Sequence, residues 1–204
     1  MPEVVAAALI GYLAGTFPSA DVVCRIATRG RVDLRSTGSG NPGGLNAMQQ
    51  IGTAWGVVVI VADIVKGVVA GFAGMVIGGD GGGYAAATTS MAGHIFPIWS
   101  RFRGGKGVAT SAGACLAVFP AFFPIDAVVA VFGAARTRNP ERTIWGNGVV
   151  WIGSAVAWWL ADLPNLWGPD PSWGLVAFST LGSGMIVWKF RMAARQVKAV
   201  AAVA

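Results

Sequence analysis

Charged side chains are scarce in this sequence: they make up 12% of its 204 residues, about half the roughly 25% of an ordinary soluble domain. So little charge cannot coat a water-soluble globule. Histidine occurs once, at His94, and cysteine twice, at Cys24 and Cys115, with no Cys-x-x-Cys pair; this argues against a zinc site. Both cysteines lie in or beside apolar stretches and read as packing residues. The first twelve residues carry Glu3 and no basic cluster, so they read as the start of a membrane helix rather than as a cleavable signal. No repeat with a period of 20 to 50 residues is visible, which disfavours a repeat-built transporter.

What the sequence has in quantity points to lipid. Hydrophobic residues reach 54%, with thirty glycines and nine tryptophans; glycine lets membrane helices approach closely and tryptophan favours the lipid–water interface. Apolar runs cover about residues 3–28, 51–77, 83–99, 107–119, 121–135, 143–161 and 173–190. A full crossing needs about 20 residues, so 107–119 and 121–135 are short. The break at Phe119-Pro120-Ala121-Phe122-Phe123-Pro124 decides between six spans and seven.

Charge placement settles the number, because basic residues stay in the short cytoplasmic loops beside membrane helices. With seven spans, one side receives four clusters: Arg25, Arg29, Arg31 and Arg35; Arg101, Arg103 and Lys106; Arg136, Arg138 and Arg142; Lys189, Arg191, Arg195 and Lys198. That is fourteen of the fifteen basic residues, whereas the other side receives Glu3, Asp80, Asp162 and Asp170. Six spans would split the same residues seven against seven. The expected fold is an all-α, polytopic membrane helical bundle of about seven transmembrane helices. It forms one domain over residues 1–204, with the N-terminus outside and the C-terminus inside. The net charge of +6 is scattered between apolar runs, so nucleic acid is not expected as a partner; anionic lipids and anionic substrates are.

The fifteenth basic residue, Lys66, falls inside a span, where an isolated charge is expensive. Asp63 lies three positions earlier on the same helical face, giving either an ion pair that locks the bundle or a pair lining a substrate cavity. Asp126, also within an apolar run, reads as a structural hydrogen-bonding partner. His94 is the one side chain whose unperturbed pKa lies near neutrality, but a lone histidine at a helix end reads first as structural rather than catalytic, and no Ser-His-Asp arrangement follows from spacing.

Two loops read either as sites for phosphate or as plain connections, a flexible linker for the first and a topogenic basic loop for the second. The first, Arg35-Ser-Thr-Gly38-Ser39-Gly40-Asn41-Pro42-Gly43-Gly44-Leu45-Asn46, can aim several backbone N–H groups at one anion, with Ser39, Asn41 and Asn46 adding side-chain hydrogen bonds. In the second, Gly104-Gly105-Lys106-Gly107 directly precedes a helix beginning at Val108-Ala109-Thr110. Free N–H groups, the helix dipole and an ammonium group converge there. It is not a Walker A sequence, because the glycine spacing and the preceding strand are absent.

These segments together resemble a known family. Gly38-Ser39-Gly40-Asn41-Pro42-Gly43 with Asn46, Asp63-x-x-Lys66-Gly67, Gly93-His94-x-Phe96-Pro97 and Gly104-Gly105-Lys106-Gly107-Val108-Ala109-Thr110 look like the bacterial acyl-phosphate-dependent glycerol-3-phosphate acyltransferases, over roughly residues 8 to 135. The resemblance implies transfer of a fatty acyl group from acyl phosphate to glycerol 3-phosphate, giving lysophosphatidic acid and phosphate. It implies no cofactor, metal or acyl-enzyme, and a bacterial cytoplasmic-membrane protein whose active site faces the cytoplasm. Substrates and membrane lipids are the expected partners, with no obligate protein partner evident. Ser39 and Lys106 are the expected catalytic contacts. Gly38, Gly40, Asn41, Gly43, Asn46, Lys66, His94, Arg103, Gly104, Gly105, Gly107 and Thr110 are expected to bind substrate, with Lys106 and Ser39 facing one another across a shared pocket.

Two departures fall at functional places. Gln49 stands where the family's first motif carries arginine, and Lys189-Phe190-Arg191-Met192-Ala193-Ala194-Arg195-Gln196 does not match the family's third motif, a His-x-x-Asn followed by a glutamate. They motivate a second reading, a non-catalytic relative that binds a phosphorylated lipid or regulates lipid synthesis. A third, an anion or lipid transporter, is disfavoured because polar residues do not recur across several spans.

Overall fold

The computed structural model describes the backbone of residues 1–137 and 139–201, and the side chains of these except 130, 134, 137, 140 and 196–201. Arg138 and the Lys198 side chain, counted above among the basic residues, lie outside the described residues. All regular structure among the described residues is helical: α1 Pro2–Gly15, α2 Ser19–Thr28, α3 Gly44–Ile51, α4 Thr53–Ile95, a 3₁₀ turn Ile98–Ser100, α5 Val108–Val118, α6 Phe122–Thr137, α7 Pro140–Leu160 and α8 Trp173–Ala201.

α4 contains two of the expected spans. At Gly78 (φ −135°, ψ 24°) and Gly79 (φ 60°, ψ −151°) the backbone leaves the helical region, and limbs 53–77 and 80–95 fold back on each other. Gly79 takes a conformation that only glycine enters cheaply. Gly74 then packs against the Gly82 carbonyl and Gly83 against Met75, so small residues let the limbs close with almost no loop.

The first run, expected as one span over 3–28, is instead two helices. The physical cause is Pro18, which lacks an N–H and keeps Phe17 out of the α region; Thr16 Oγ1 bonds back to the Leu13 carbonyl at 2.7 Å. α2 buries Ser19, Ala20, Val23 and Cys24 on one face and carries Asp21 and Arg25 elsewhere. Between the short runs 107–119 and 121–135 the chain breaks at Phe119–Ala121, as the prolines there suggest.

Glycine contacts also set the helix crossings. Gly11 and Gly15 of α1 meet Ala86 and Ser90 of the second α4 limb, and Gly67 and Gly113 bring the first limb onto α5. α5 to α8 gather round stacked and edge-on rings, with Phe122–Trp151 centroids 5.7 Å apart and Trp151–Phe178 5.2 Å. Asn147 donates to Asp126 between α7 and α6. The perimeter is apolar instead: Val61, Val69, Val76, Val131, Phe132 and Leu181 are all more than half exposed, the distribution a lipid solvent favours. Pro2–Thr28 and Thr53–Ser100 are long and apolar enough to cross a membrane.

The bundle has two unlike ends. At one, the loops around residues 29–43 and 96–107 meet the later turns of α8: Lys189 Nζ lies 6.0 Å from the Phe96 ring, and Arg191 approaches Glu141 of α7 at 3.9 Å. At the other, Tyr84 donates to the Asp170 carbonyl (3.0 Å) and Trp167 to the Leu116 carbonyl (2.7 Å), knitting residues 161–172 onto α4 and α5.

Candidate functional site

The break between α1 and α2 opens a cavity of about 140 Å³ at the basic end. Its floor is polar and lies inside α4. Asp63 Oδ1 is 2.8 Å from Lys66 Nζ and 3.5 Å from His94 Nδ1; these residues are 3%, 8% and 8% exposed. Asp63 and Lys66 come from the first limb and His94 from the second, so the Gly78–Gly79 reversal is what joins them. Lys66 also donates to the Phe17 carbonyl at 3.2 Å, a carbonyl available because the helix stops there.

Walls come from the flanking loops. Ser19, the first residue of α2, lines the cavity with a buried hydroxyl that has no hydrogen-bond partner among the described residues. Arg35 also lines it, pairs with Asp21, and donates from Nε to the Arg103 carbonyl at 3.1 Å. That bond straps the two glycine-rich loops together. Trp99 donates to Thr16 Oγ1 at 3.0 Å and Tyr12 to the Phe96 carbonyl at 2.8 Å, fixing the 96–107 loop to α1.

Gly104 and Gly105 form the remaining wall. A Cβ on Gly104 would collide with the His94 carbonyl, and one on Gly105 with His94 Nε2. The two glycines are required by the histidine as much as by any ligand.

The expected residues do not all converge. Lys66, His94, Gly104 and Gly105 line the cavity, but Ser39 and Lys106 do not. The expected face-to-face pair thus does not share the lining of this cavity. Lys106 Nζ sits 4.4 Å over the Phe190 ring of α8, drawn there by the ring's negative face, and burial pushes its pKa below the usual amine range. The Ser39 side chain is exposed and its backbone N–H donates to Asn46 Oδ1 at 3.0 Å.

Asn46, expected to bind substrate, is the hub of the first loop. Its Nδ2 donates to the Leu34 and Thr37 carbonyls, each at 3.0 Å, so its amide is already engaged. Around it, Gly38 (φ 57°) and Gly40 (φ 68°) take left-handed turns, Asn41 packs its amide on Gly43, and Gly43 caps α3. Asn46→Ala is expected to cost about 3 kcal/mol at about 1 kcal/mol per hydrogen bond. A lowered unfolding temperature and faster proteolysis within residues 33–43 are the readouts.

Thr110 is wholly buried in α5, Gly107 (φ 86°) caps that helix, and Arg103 is exposed. Gln49 is exposed on α3 and lies off the cavity. Ser19, Arg35, Asp21 and Trp99 were not singled out by sequence reasoning; a helix break at Phe17-Pro18 was the available signal for the first of them.

Residues 5–200 match the family model described as glycerol-3-phosphate acyltransferase. Curated relatives include a glycerol-3-phosphate acyltransferase of Symbiobacterium thermophilum, 36% identical over 144 residues, 71% of this chain and 69% of the relative. One from Endomicrobium trichonymphae is 40% identical over 128 residues, 62% of each. Glycerol-3-phosphate acyltransferase 2 of Bacillus cereus is 43% identical over 121 residues, 59% of this chain and 60% of the relative. The matched segments thus span between 60% and 69% of these relatives' length. A crystal structure of PlsY, an integral membrane glycerol 3-phosphate acyltransferase, in its glycerol 3-phosphate form, is similar with a TM-score of 0.75 at 24% identity. The alignment covers 96% of this chain and 92% of that one, so the two share a fold. With the family model matched over nearly the whole length, the chain belongs to the glycerol-3-phosphate acyltransferase family.

Proposed function

We propose that this protein transfers a fatty acyl group from acyl phosphate to a hydroxyl of glycerol 3-phosphate, forming lysophosphatidic acid and phosphate. The observation that carries the reading is the cavity at the α1–α2 break. It sets Lys66, Arg35 and the unpartnered Ser19 hydroxyl against the Gly104–Gly105 wall, inside a bundle with an apolar perimeter. Charged head groups would be held in the cavity, while the acyl chain lies among apolar helices. Acyl phosphate is already activated, so holding the reactants together and stabilising developing charge supply much of the rate.

Lys106 and the N–H groups opening α5 lie at the same end, and in this reading they hold the second phosphate. Ser39, Gly38, Gly40, Asn41 and Gly43 act through the loop that carries Arg35. The basic end faces the cytoplasm of a bacterial inner membrane, with the N-terminus outside and the C-terminus inside. An impermeant thiol reagent is therefore expected to label Arg103→Cys only from the cytoplasmic side.

The direct test uses purified protein in lipid with acyl phosphate and glycerol 3-phosphate, following lysophosphatidic acid. Lys66→Met is expected to lower turnover by about 100-fold, the size of effect that follows loss of a fixed charge at a reacting centre, while Arg31→Ala leaves it unchanged. Glycerol 3-phosphate binding without product would instead favour the non-catalytic relative, which Gln49 and the unmatched third motif motivate.

A further inference from the structure

A second cavity, of about 70 Å³, lies among α5, α6, α7 and α8 and shares no lining residue with the first. Asp126 of α6, Asn147 and Trp151 of α7 and Ser183 of α8 line it, and Asn147 donates to Asp126. Three polar atoms there have no hydrogen-bond partner among the described residues: Asn147 Oδ1, Trp151 Nε1 and Ser183 Oγ. Trp151 is 3% exposed and Ser183 6%, so neither turns to solvent. Polar groups inside a membrane bundle normally bond to one another or to backbone, and leaving three unmatched is costly.

The set has a definite chemistry. An indole N–H can only donate, an amide oxygen can only accept, and a serine hydroxyl does either. A ligand hydroxyl, with one proton to donate and two lone pairs to accept, matches all three. An ionised phosphate or carboxylate has no proton for Asn147 Oδ1 and would face the Asp126 carboxylate; an ammonium has no acceptor for the Trp151 N–H. The place is equally definite. Val108 and Ile186 continue the lining toward the basic end, Ile186 lies against Gly107, and Lys106 sits over Phe190 one turn farther along α8. Val108 is 45% exposed, so the lining reaches the apolar perimeter. An acyl chain whose activated head is held by Lys106 therefore passes this cavity within its first few carbons.

We propose that this cavity selects acyl donors bearing a hydroxyl near the carbonyl end, of the β-hydroxyacyl phosphate class, with Trp151, Ser183 and Asn147 holding that hydroxyl. The proposal rests on the acyltransferase reading above and specifies its donor. Water offers the same hydroxyl chemistry and fits the volume, but the way in from the apolar perimeter suits a chain. An unsubstituted chain in the same place leaves the three polar atoms without partners, and that penalty is the source of discrimination.

The test gives purified protein in lipid a β-hydroxyacyl phosphate and the unsubstituted acyl phosphate of equal length in competition, with glycerol 3-phosphate as acceptor. The two products are resolved by mass. Wild-type protein is expected to favour the hydroxylated donor by about 10-fold or more in kcat/KM. Ser183→Ala and Trp151→Phe each remove one polar atom and keep an apolar body, and each should lower that ratio about fivefold. Side chains with a merely structural role would change the unfolding temperature and leave the ratio where it was. Gly153→Ala, on α7 with open space beside it, should keep the wild-type ratio.

Equal use of the two donors by wild-type protein, or preference for the unsubstituted one, overturns the proposal and leaves the cavity to water. A wild-type preference that survives in both variants overturns it as well, because the hydroxyl is then held elsewhere. Should Trp151→Phe fail to fold, the wild-type ratio and Ser183→Ala decide. Transfer from neither donor would overturn the acyltransferase reading itself, a result distinct from equal use of both.

Discussion

Gly105→Ala should reduce acyl transfer by about 100-fold while the protein still folds, because a shift of about 1 Å at a reacting centre can cost that much. The added methyl group would collide with His94 Nε2. Either the ring turns away, lengthening the 3.5 Å approach to Asp63, or the glycine turn moves outward and opens the cavity wall. Both displace the same small set of groups, so the loss should appear mainly in kcat, with retained α-helical circular dichroism. Gly104→Ala meets backbone instead, the His94 carbonyl, and should lower stability as well. A Gly105→Ala protein with wild-type kcat would mean that the contact between the turn and the histidine has no part in the reaction.

The second large effect concerns the bundle. Gly113→Val should destabilise the protein by about 3 kcal/mol, the upper part of the usual cost of overpacking. A Cβ at Gly113 collides with the backbone carbonyl of Ile64, and backbone cannot step aside as a flexible side chain can. Because Ile64 adjoins Asp63, separation of α4 from α5 should also disturb the cavity floor. Gly153→Ala is the control. It sits in α7 with nothing within 4 Å of the added methyl, and should be neutral or stabilising by up to about 1 kcal/mol through helix propensity. Thermal unfolding of the two variants in the same detergent gives the comparison.

Both predictions turn on glycines whose purpose the sequence discloses only partly. Composition and the seven apolar runs were enough for a helical membrane bundle. The Phe119–Pro124 break and the grouping of basic residues were enough for the number of segments, because those signals are local or additive along the chain. The cavity was less legible. Asp63 and Lys66 could be paired from their spacing, but His94 joins them only through the reversal at Gly78 and Gly79, which looks in sequence like one more glycine-rich stretch. Asn46 and Ser39 carry side chains suited to anions, and loop geometry decides whether such groups face a ligand or the loop itself. Here Leu34, Thr37 and Ser39 engage the Asn46 amide. Lys106 reads as a free cation until α8 brings Phe190 beneath it, a contact between residues more than eighty positions apart.

The unlike ends of the bundle bear on traffic through it. Around residues 161–172 the backbone is tied down by Tyr84, Asn165 and Trp167, whereas the cavity lies at the other extremity, beside the straps made by Arg35 and Tyr12. In the acyltransferase reading proposed above, water-soluble reactants and spent phosphate would come and go at that extremity, and a lipid product would depart sideways between helices.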